Sequence, residues 1–218
     1  MSEFLQVTGL VISAMPIGEN DRRILLLTAE MGKISAFIRG GRKSGSPLMA
    51  AGMAFAFGRF ELYPGRSAYT VKSAELQNFF DYLSMDPEAF CYASYFAELA
   101  AYYSRENIED PPLLRLLVKG IQSLSQERLN RSLVRYTYEL KLMQTEGEAM
   151  DEPPLALDDS AWKAWQFVLE SEIEKCFNFL LEPASFRSFS QAVAALRNQM
   201  IDGRFKSLKV LEEILSIP

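Results

Sequence analysis

The 218-residue chain contains no histidine and only two cysteines, and these shortages restrict the chemistry open to it. Without histidine it cannot form a Ser-His or Cys-His catalytic pair or the common catalytic zinc sites. Cys91 and Cys176 lie far apart in apolar stretches and outside any CxxC motif, so we expect two buried, reduced thiols. The sequence therefore predicts a protein that is not an enzyme and that carries no metal ion or other cofactor.

The chain also lacks a long hydrophobic run. No stretch approaches the roughly 18 apolar residues that a membrane-spanning helix needs. The N-terminal segment "MSEFLQVTGL" contains an acidic residue and no basic region, unlike a secretory signal. We therefore expect a cytoplasmic protein that does not contact the membrane.

Positive charge is in the minority overall, but it is concentrated in the first third of the chain. The net charge is −5. Residues 1–79 hold nine Lys/Arg and six Asp/Glu, a balance of +3, whereas residues 80–218 hold 14 and 22, a balance of −8. Such an asymmetry predicts an anion-binding face on the N-terminal part.

The first 79 residues have the pattern of short β-strands. Five runs are rich in β-branched or alternating residues, and Glu30 to Gly32 form a tight turn between the second and third. The segment "SPLMAAGMAFA" between the third and fourth runs predicts one or two helical turns, with Ser46 as N-cap and Pro47 in the first position. Five strands with a helix after the third is the order of an OB-fold barrel, and a small SH3-like barrel is the main alternative.

After Phe79 the pattern becomes helical, so the sequence predicts an α+β protein: an N-terminal five-stranded OB-fold β-barrel (1–79) followed by an all-helical domain (80–218). Trp162 and Trp165 are expected in the helical core. The predicted helices number about six and begin at Asp86-Pro87, at Pro111-Pro112, near Glu127, near Ser160, at a capping box formed by Ser188 and Gln191, and within "SLKVLEEIL".

The stretch "AFIRGGRKSGSP" leaves a strand and becomes a glycine-rich basic loop. It lacks the GxxxxGK(S/T) spacing of a P-loop, so the open alternatives are a solvated turn and a contact with a phosphodiester backbone. Further basic residues occur on the neighbouring strands, interleaved with Phe37, Phe57, Tyr63 and Tyr69, of which one or two could stack on bases. The predicted DNA-binding residues are Arg22, Arg23, Lys33, Arg39, Arg42, Lys43, Arg59 and Arg66.

A second basic pattern lies in the third predicted helix. Arg128, Arg131 and Arg135 are spaced three and four residues apart, which predicts one shared face beside an apolar strip. Such a face suits an acidic partner peptide. The alternative is that these arginines form ion pairs with Glu127, Glu139 or another helix.

Four segments, in chain order, carry the motifs of a known family. They are "GLVISAMPIGENDRRILLLTAEMGKISAFIRGGRKSGSPL", "FGRFELYPGR", "YASYFAELA" and "FKSLKVLEEI". The first contains a G-x-V strand, a G-E-x-D turn and "GKISA" before the basic loop. Together these segments resemble the RecO family of bacterial DNA repair and recombination mediators.

The resemblance implies an OB-fold joined to a helical domain, binding of single- and double-stranded DNA, and annealing of complementary strands. It also implies several protein partners: RecR, the acidic C-terminal tail of the single-stranded-DNA-binding protein, RecA as the protein loaded onto coated strands, and RecF as a further candidate. Many members carry a CxxC…CxxC zinc module after a segment like "YELKLMQTEG". Here residues 147–159 contain no cysteine, so we expect that module to be absent or degenerate.

Two functions from different classes remain open on the residues alone. The first is a DNA-annealing mediator whose basic barrel binds backbone phosphates. The second is a protein-interaction adaptor that binds acidic partner surfaces without touching DNA. The salt dependence of binding to mixed-sequence single strands separates them.

Overall fold

The computed structural model describes residues 4–78, 80–149 and 151–215. The chain divides into two compact units. The first comprises Met1–Tyr82 together with Ala100–Leu114, and the second comprises Leu83–Leu99 together with Arg115–Pro218.

The first unit contains a closed β-barrel. Its strands are β1 (Leu5–Ile17), β2 (Asp21–Thr28), β3 (Gly32–Ile38), β4 (Phe57–Tyr63) and β5 (Tyr69–Asn78). They pair in the order β1-β2-β3-β5-β4, and β4 pairs with β1 to close the barrel. Among these pairs, β3 and β5 run parallel and the others antiparallel. This is the strand order of an OB-fold, so the predicted five-stranded barrel is confirmed.

Alternation along the strands separates the barrel core from its outer surface. In β3 every second residue is buried, and Ile34, Ala36 and Ile38 all belong to the core cluster. In β4 Phe60 and Leu62 are buried, whereas Arg59 and Tyr63 are exposed. Each buried aliphatic or aromatic side chain contributes about 1.5–3 kcal/mol, so this pattern fixes the register of the sheet.

The helix predicted between the third and fourth strands is shorter than expected. It is a single 3₁₀ turn, Ala50–Gly52, and its N-cap is Met49 rather than Ser46. Ser46 instead stabilises the turn before it, where its hydroxyl accepts a hydrogen bond from the Leu48 N–H at 3.3 Å. The turn ends at Gly52, where a Cβ would stand 2.9 Å from the Arg22 Cδ, so glycine leaves room for the Arg22 side chain.

The β2–β3 turn packs against the segment Ala100–Leu114, within the same unit. The Asn107 N–H donates to the Met31 carbonyl and the Asp110 N–H to the Ala29 carbonyl, both at 2.9 Å. Gly32 lies at this contact with φ +59°, and a Cβ there would stand 2.0 Å from the Arg105 carbonyl oxygen. Only glycine satisfies both constraints.

We therefore expect Gly32→Ala to lower the free energy of unfolding by about 3 kcal/mol, through left-handed strain and the clash together. Gly45→Ala is the matched control, since Gly45 has φ +77° but nothing within 4 Å of its Cβ position. It should cost only about 1–2 kcal/mol. Urea unfolding of both variants measures the difference, and equal losses would exclude the clash.

The second unit is helical. In the described part of the chain the α-helices are α1 (Pro87–Tyr103), α2 (Pro111–Leu124), α3 (Arg131–Thr145), α4 (Asp159–Glu170), α5 (Pro183–Met200) and α6 (Lys206–Leu215). Within the second unit α3 packs against α4 and α5. Phe96 stacks on Tyr138 with ring centroids 4.2 Å apart, and Trp165 is fully buried.

Three predicted helix boundaries are wrong. α3 begins at Arg131 because the Asn130 side chain accepts the Leu133 N–H at 3.2 Å, so residues near 127 precede the helix. α4 is predicted to run from about Ser160 to Leu181, but it ends at Glu170. There the Lys141 ammonium donates hydrogen bonds to the Leu169 and Ser171 carbonyls.

The third error concerns α5, which starts at Pro183, so Ser188 lies inside this helix rather than capping it. Two side chains also differ from expectation. Trp162 is 40% exposed rather than in the core. Of the two thiols, Cys176 is buried and Cys91 only half-buried, and neither forms a disulfide. Burial raises the pKa of the Cys176 thiol to about 12, which makes it unreactive at neutral pH.

Candidate nucleic-acid interface

Strand register gathers two connections at one end of the barrel. The β1–β2 turn lies there because Ile17 pairs with Asp21, and the end of β3 lies there because Ile38 pairs with Arg22. We call residues 18–20 and 39–49 the loop end. Of the predicted DNA-binding residues, those in or next to the loop end are Arg22, Arg23, Arg39, Arg42 and Lys43.

The β4–β5 connection, residues 64–68, carries Arg66. It leads into β5, which runs parallel to β3, so strand direction places it at the other end of these strands. Tyr63, just before this connection, pairs with Thr70, which in turn pairs with Phe37.

The basic loop after β3 is folded onto the β1–β2 turn. The Gly40 N–H donates to the Asp21 carboxylate at 2.8 Å, and the Arg42 N–H donates to the Asn20 carbonyl at 2.9 Å. The Arg42 guanidinium donates to the Gly18 carbonyl at 3.0 Å. Because Asp21 already occupies the Gly40 amide, this loop offers charged side chains to a ligand rather than a cradle of backbone amides.

Two cations of this loop point into solvent. Arg39 and Lys43 are exposed, and within the described residues neither side chain forms a hydrogen bond or ion pair. Arg66, in the β4–β5 connection, is exposed in the same way. These three charges are therefore free to meet a phosphate.

Arg22 and Arg23 are neighbours on β2, but their side chains have different surroundings. Arg22 is half-buried, and its guanidinium donates to the Gly52 carbonyl at 2.7 Å, which ties the 3₁₀ turn to the barrel. Arg23 points outward, and its Nε donates to the Ser35 hydroxyl at 2.8 Å. Arg23 is thus an exposed guanidinium held in place by a neutral group. Strand alternation would have identified Ser35, but the sequence analysis did not single it out.

Lys33 and Arg59 do not join the loop end. The Lys33 ammonium donates to the Ala101 carbonyl at 2.6 Å, beside the contact made by Gly32. Arg59 lies on the outer face of β4 and pairs in register with Thr8 and Glu75. Lys33 therefore serves the packing of the first unit, and Arg59 faces a carboxylate-bearing strand.

The barrel cations differ from those of the helical unit in how they are paired. Among the described residues of the barrel, the one ion pair joins Lys72 to Glu61 at 3.2 Å, and none of the eight predicted DNA-binding residues has a carboxylate within 4.0 Å. Within the helical unit several cations form ion pairs, including Arg115, Arg131, Arg135, Lys175, Arg197 and Lys209. Unpaired charge on a small barrel creates a positive potential that attracts anions.

The predicted arginine face of the third helix does not exist as such, because Arg128 precedes α3. Arg131 donates to Asp86 through both terminal nitrogens and to Glu88 at 3.1 Å. Arg131 therefore forms ion pairs within the helical unit, as the alternative interpretation of the sequence proposed. Arg135 does the same, since its side chain is 7% exposed and its Nε lies 2.9 Å from Glu139.

Arg128 keeps an exposed guanidinium, which contacts only the neutral side-chain oxygens of Gln126 and Asn178. Binding of an acidic peptide by the three arginines stays a prediction. Of the three, Arg128 has the guanidinium that no carboxylate among the described residues neutralises.

Because Arg131 holds the start of α1, we expect Arg131→Glu to destabilise the helical unit by about 1–3 kcal/mol. Burial raises the pKa of Asp86, but hydrogen bonds from the Ala89 N–H and the Arg131 guanidinium outweigh it and hold that pKa below its ordinary value. The stability from Asp86 is therefore present above about pH 4 and is lost as the pH falls through the folded pKa.

Thermal unfolding between pH 3 and pH 7 tests this expectation, with Arg128→Glu as the matched control. The control should unfold like the parent protein, since Arg128 has no acidic partner. If Arg131→Glu were as stable as the parent at pH 7, the ion pair would not hold α1.

The described residues hold no group of three or more His, Cys, Asp or Glu side chains placed to bind a metal ion. Within the same part of the chain, every helix is too short or too polar to cross a membrane.

The closed barrel and the helices after it define a class of protein: an OB-fold with an appended helical unit. Residues 1–80 match the family described as Recombination protein O N terminal, and residues 84–153 match Recombination protein O C terminal. The chain belongs to the RecO family. Residues 154–218 lie outside both matches, so the resemblance seen in "FKSLKVLEEI" stays a prediction.

Several curated relatives carry the name DNA repair protein RecO. That of Clostridium novyi is 30% identical over 143 residues, 66% of this chain and 56% of the relative. Those of Alkaliphilus metalliredigens and Acetivibrio thermocellus are 31% and 32% identical and are covered to 58% each. This chain therefore matches a little over half the length of these relatives.

Proposed function

We propose that this chain is a DNA repair and recombination mediator that binds single- and double-stranded DNA and anneals complementary strands. The observation that carries the proposal is the set of exposed barrel cations without an acidic partner among the described residues: Arg39 and Lys43 at the loop end, Arg66 in the β4–β5 connection, and Arg23, whose guanidinium is held by Ser35. Cations in this arrangement bind phosphates of any sequence.

Annealing needs a surface that neutralises phosphate repulsion and leaves the base edges accessible. The loop end provides charge through side chains on loops, without a deep cleft that would enclose the bases. No covalent step is needed, which is in keeping with a protein that is not an enzyme. In this proposal residues 1–79 form the DNA-binding domain and residues 80–218 a helical domain with no zinc module.

We further propose the partners that the family resemblance implies. With RecR, and with RecF as a further candidate, the chain would help load RecA onto strands coated by the single-stranded-DNA-binding protein. The acidic tail of that protein would dock on the helical domain in the cytoplasm. Arg128 is the first residue to test for that contact, because Arg131 and Arg135 are held by internal carboxylates.

Fluorescence anisotropy with a labelled mixed-sequence single strand, and with its duplex, tests the proposal across a range of salt. We expect binding to both, with a log–log salt slope of about 2–4, followed by faster annealing of complementary strands. An absence of binding to either form at low salt would overturn direct DNA contact. The adaptor function would then be the better account.

A further inference from the structure

An outward-facing row of side chains crosses the barrel next to the loop end. Cross-strand pairs link Met15 to Arg23, Arg23 to Phe37, Phe37 to Thr70, and Thr70 to Tyr63. None of the five belongs to the barrel core, and Met15 and Tyr63 are 55% and 37% exposed. Directly paired side chains stand about 5 Å apart, so the row forms one continuous surface, which we call the cross-strand row.

Phe37 occupies the centre of the cross-strand row. It alternates on β3 with the core residues Ala36 and Ile38, so its side chain lies on the outer side of the barrel, and it is half-buried there. Tyr69, another aromatic that the sequence offered for stacking, packs against the core instead. Phe37 is therefore the aromatic that the fold presents beside the free cations.

Arg23 lies directly opposite Phe37 and is already oriented. Its Nε is bound to Ser35, which lies on the same face of β3 two residues before Phe37. Within the described residues no carboxylate neutralises this guanidinium, and its two terminal amino groups keep their donors. The Phe37 ring and the Arg23 guanidinium are therefore cross-strand neighbours, and Phe37 lies two residues before Arg39 in the chain.

Tyr63, at the far end of the row, has different surroundings. The Lys72 ammonium lies 6.0 Å from its ring centroid and is paired with Glu61. The Lys72–Glu61 pair has no net charge, so Lys72 adds little positive potential at that end. The open, positively charged part of the row is therefore the part around Phe37 and Arg23.

We propose that the cross-strand row binds unpaired bases, with Phe37 as the stacking residue, and that it gives the protein its preference for single strands over duplex. This inference rests on the proposed function, and it assigns the selectivity for single strands to the cross-strand row. The faces of unpaired bases are free to stack on an aromatic ring, whereas duplex base faces are covered by their neighbours. The loop-end cations contact phosphates in either form.

The separation between base stacking on Phe37 and phosphate binding by the loop-end cations also explains how an annealed duplex would dissociate. Once two strands pair, the bases withdraw from Phe37 while the phosphate contacts remain. The complex with duplex is then held by charge alone and dissociates more readily as salt rises. The row favours the substrates of annealing over its product.

Phe37→Leu tests the inference, with Phe57→Leu as the matched control. Phe57 is a half-buried residue of the same barrel, at the start of β4, where it pairs with Leu10 and Asn78 and so lies outside the cross-strand row. We expect Phe37→Leu to weaken binding to a mixed-sequence single strand about 10-fold, and to change duplex affinity and both salt slopes by little. Phe57→Leu should leave both affinities unchanged.

A second variant keeps the ring and reports the contact directly. Phe37→Trp should show fluorescence quenching when an oligothymidylate is added, and no quenching with an abasic strand of equal length. An unchanged single-strand affinity in Phe37→Leu, an equal loss for strand and duplex, or equal quenching by the abasic strand would each overturn the role of Phe37.

These failures differ from a failure of the proposed function. If the parent protein binds DNA and loses affinity on removal of Arg39 and Lys43, direct DNA binding stands even when Phe37 has no effect. If the parent protein binds neither single strand nor duplex, the proposed function itself is wrong, and the cross-strand row loses its ligand with it.

Discussion

Replacing Arg39, Lys43 and Arg66 together by alanine should weaken single-strand binding about 100-fold at 0.1 M salt. Each phosphate contact on a single strand contributes about 0.7 to the log–log salt slope, so three contacts contribute a factor of about 100 at that concentration. The slope itself should fall by about 2. For duplex the loss should be larger, because each contact there contributes about 0.9.

The structure supplies a matched control for this charge change. Lys163, Arg187 and Lys209 are basic residues of the helical unit, so their joint replacement alters the net charge by the same amount without touching the barrel. Anisotropy titrations of the two triple variants measure DNA affinity at equal net charge, so a difference between them reports where on the protein the charges were removed. Equal losses would show that overall charge, and not the exposed barrel cations, attracts DNA.

A single barrel substitution refines the comparison. Lys72→Ala removes a barrel cation that is already paired with Glu61 and packed over the Phe4 ring at 4.2 Å. It should reduce DNA affinity less than Lys43→Ala, although the two changes remove the same charge. A larger loss for Lys72→Ala would place the binding surface on β4 and β5 instead.

Replacing Glu139 by glutamine should lower the free energy of unfolding by about 3–5 kcal/mol, the largest stability change we expect for a charged residue in this chain. Glu139 is fully buried, and its Oε1 accepts from the Tyr95 hydroxyl at 2.8 Å and from the Arg135 Nε at 2.9 Å. Arg197 lies at 4.0 Å from the same oxygen.

The cost arises from the charges that would remain. Burial alone would lower the pKa of Arg135, but Glu139 raises it above its ordinary value, so the guanidinium stays charged. Without the carboxylate, Arg135 and Arg197, whose side chains are 7% and 14% exposed, would repel each other, and Arg135 would keep only the exposed Glu212 at 3.8 Å as an acidic partner. The hydrogen bonds to Glu139 all reach Oε1, and its Oε2 has no hydrogen-bond partner among the described residues.

Urea unfolding measures this effect, with Glu213→Gln as control. Glu213 is 66% exposed and its ion pair with Lys209 spans 3.9 Å. Exposed pairs of this kind contribute about 0–1 kcal/mol. A loss below about 1 kcal/mol for Glu139→Gln would mean that water reaches the site and replaces the carboxylate.

The errors in the sequence analysis share one cause. Arg131 and Arg135 have the spacing of a binding face, yet their partners are Asp86 and Glu139, and Asp86 lies 45 residues from Arg131 in the chain. Lys33 has the pattern of an exposed strand cation, yet its ammonium binds a carbonyl 68 residues away. Spacing shows which residues share a face, but it does not show what covers that face.

The sequence by itself determined the elements of this protein, since strand alternation, helical periodicity and the basic first third are all local patterns. It also placed the chain in its family through short motifs in order. Only the tertiary structure decided which cations are free. Among the described residues Arg39 and Lys43 in the loop after β3 and Arg66 in the β4–β5 connection have no acidic partner, while hydrogen bonds to carbonyls 30 and 68 residues away hold Arg22 and Lys33 in the packing of the unit. Those contacts join segments that are far apart in the chain, so no local stretch of sequence encodes them.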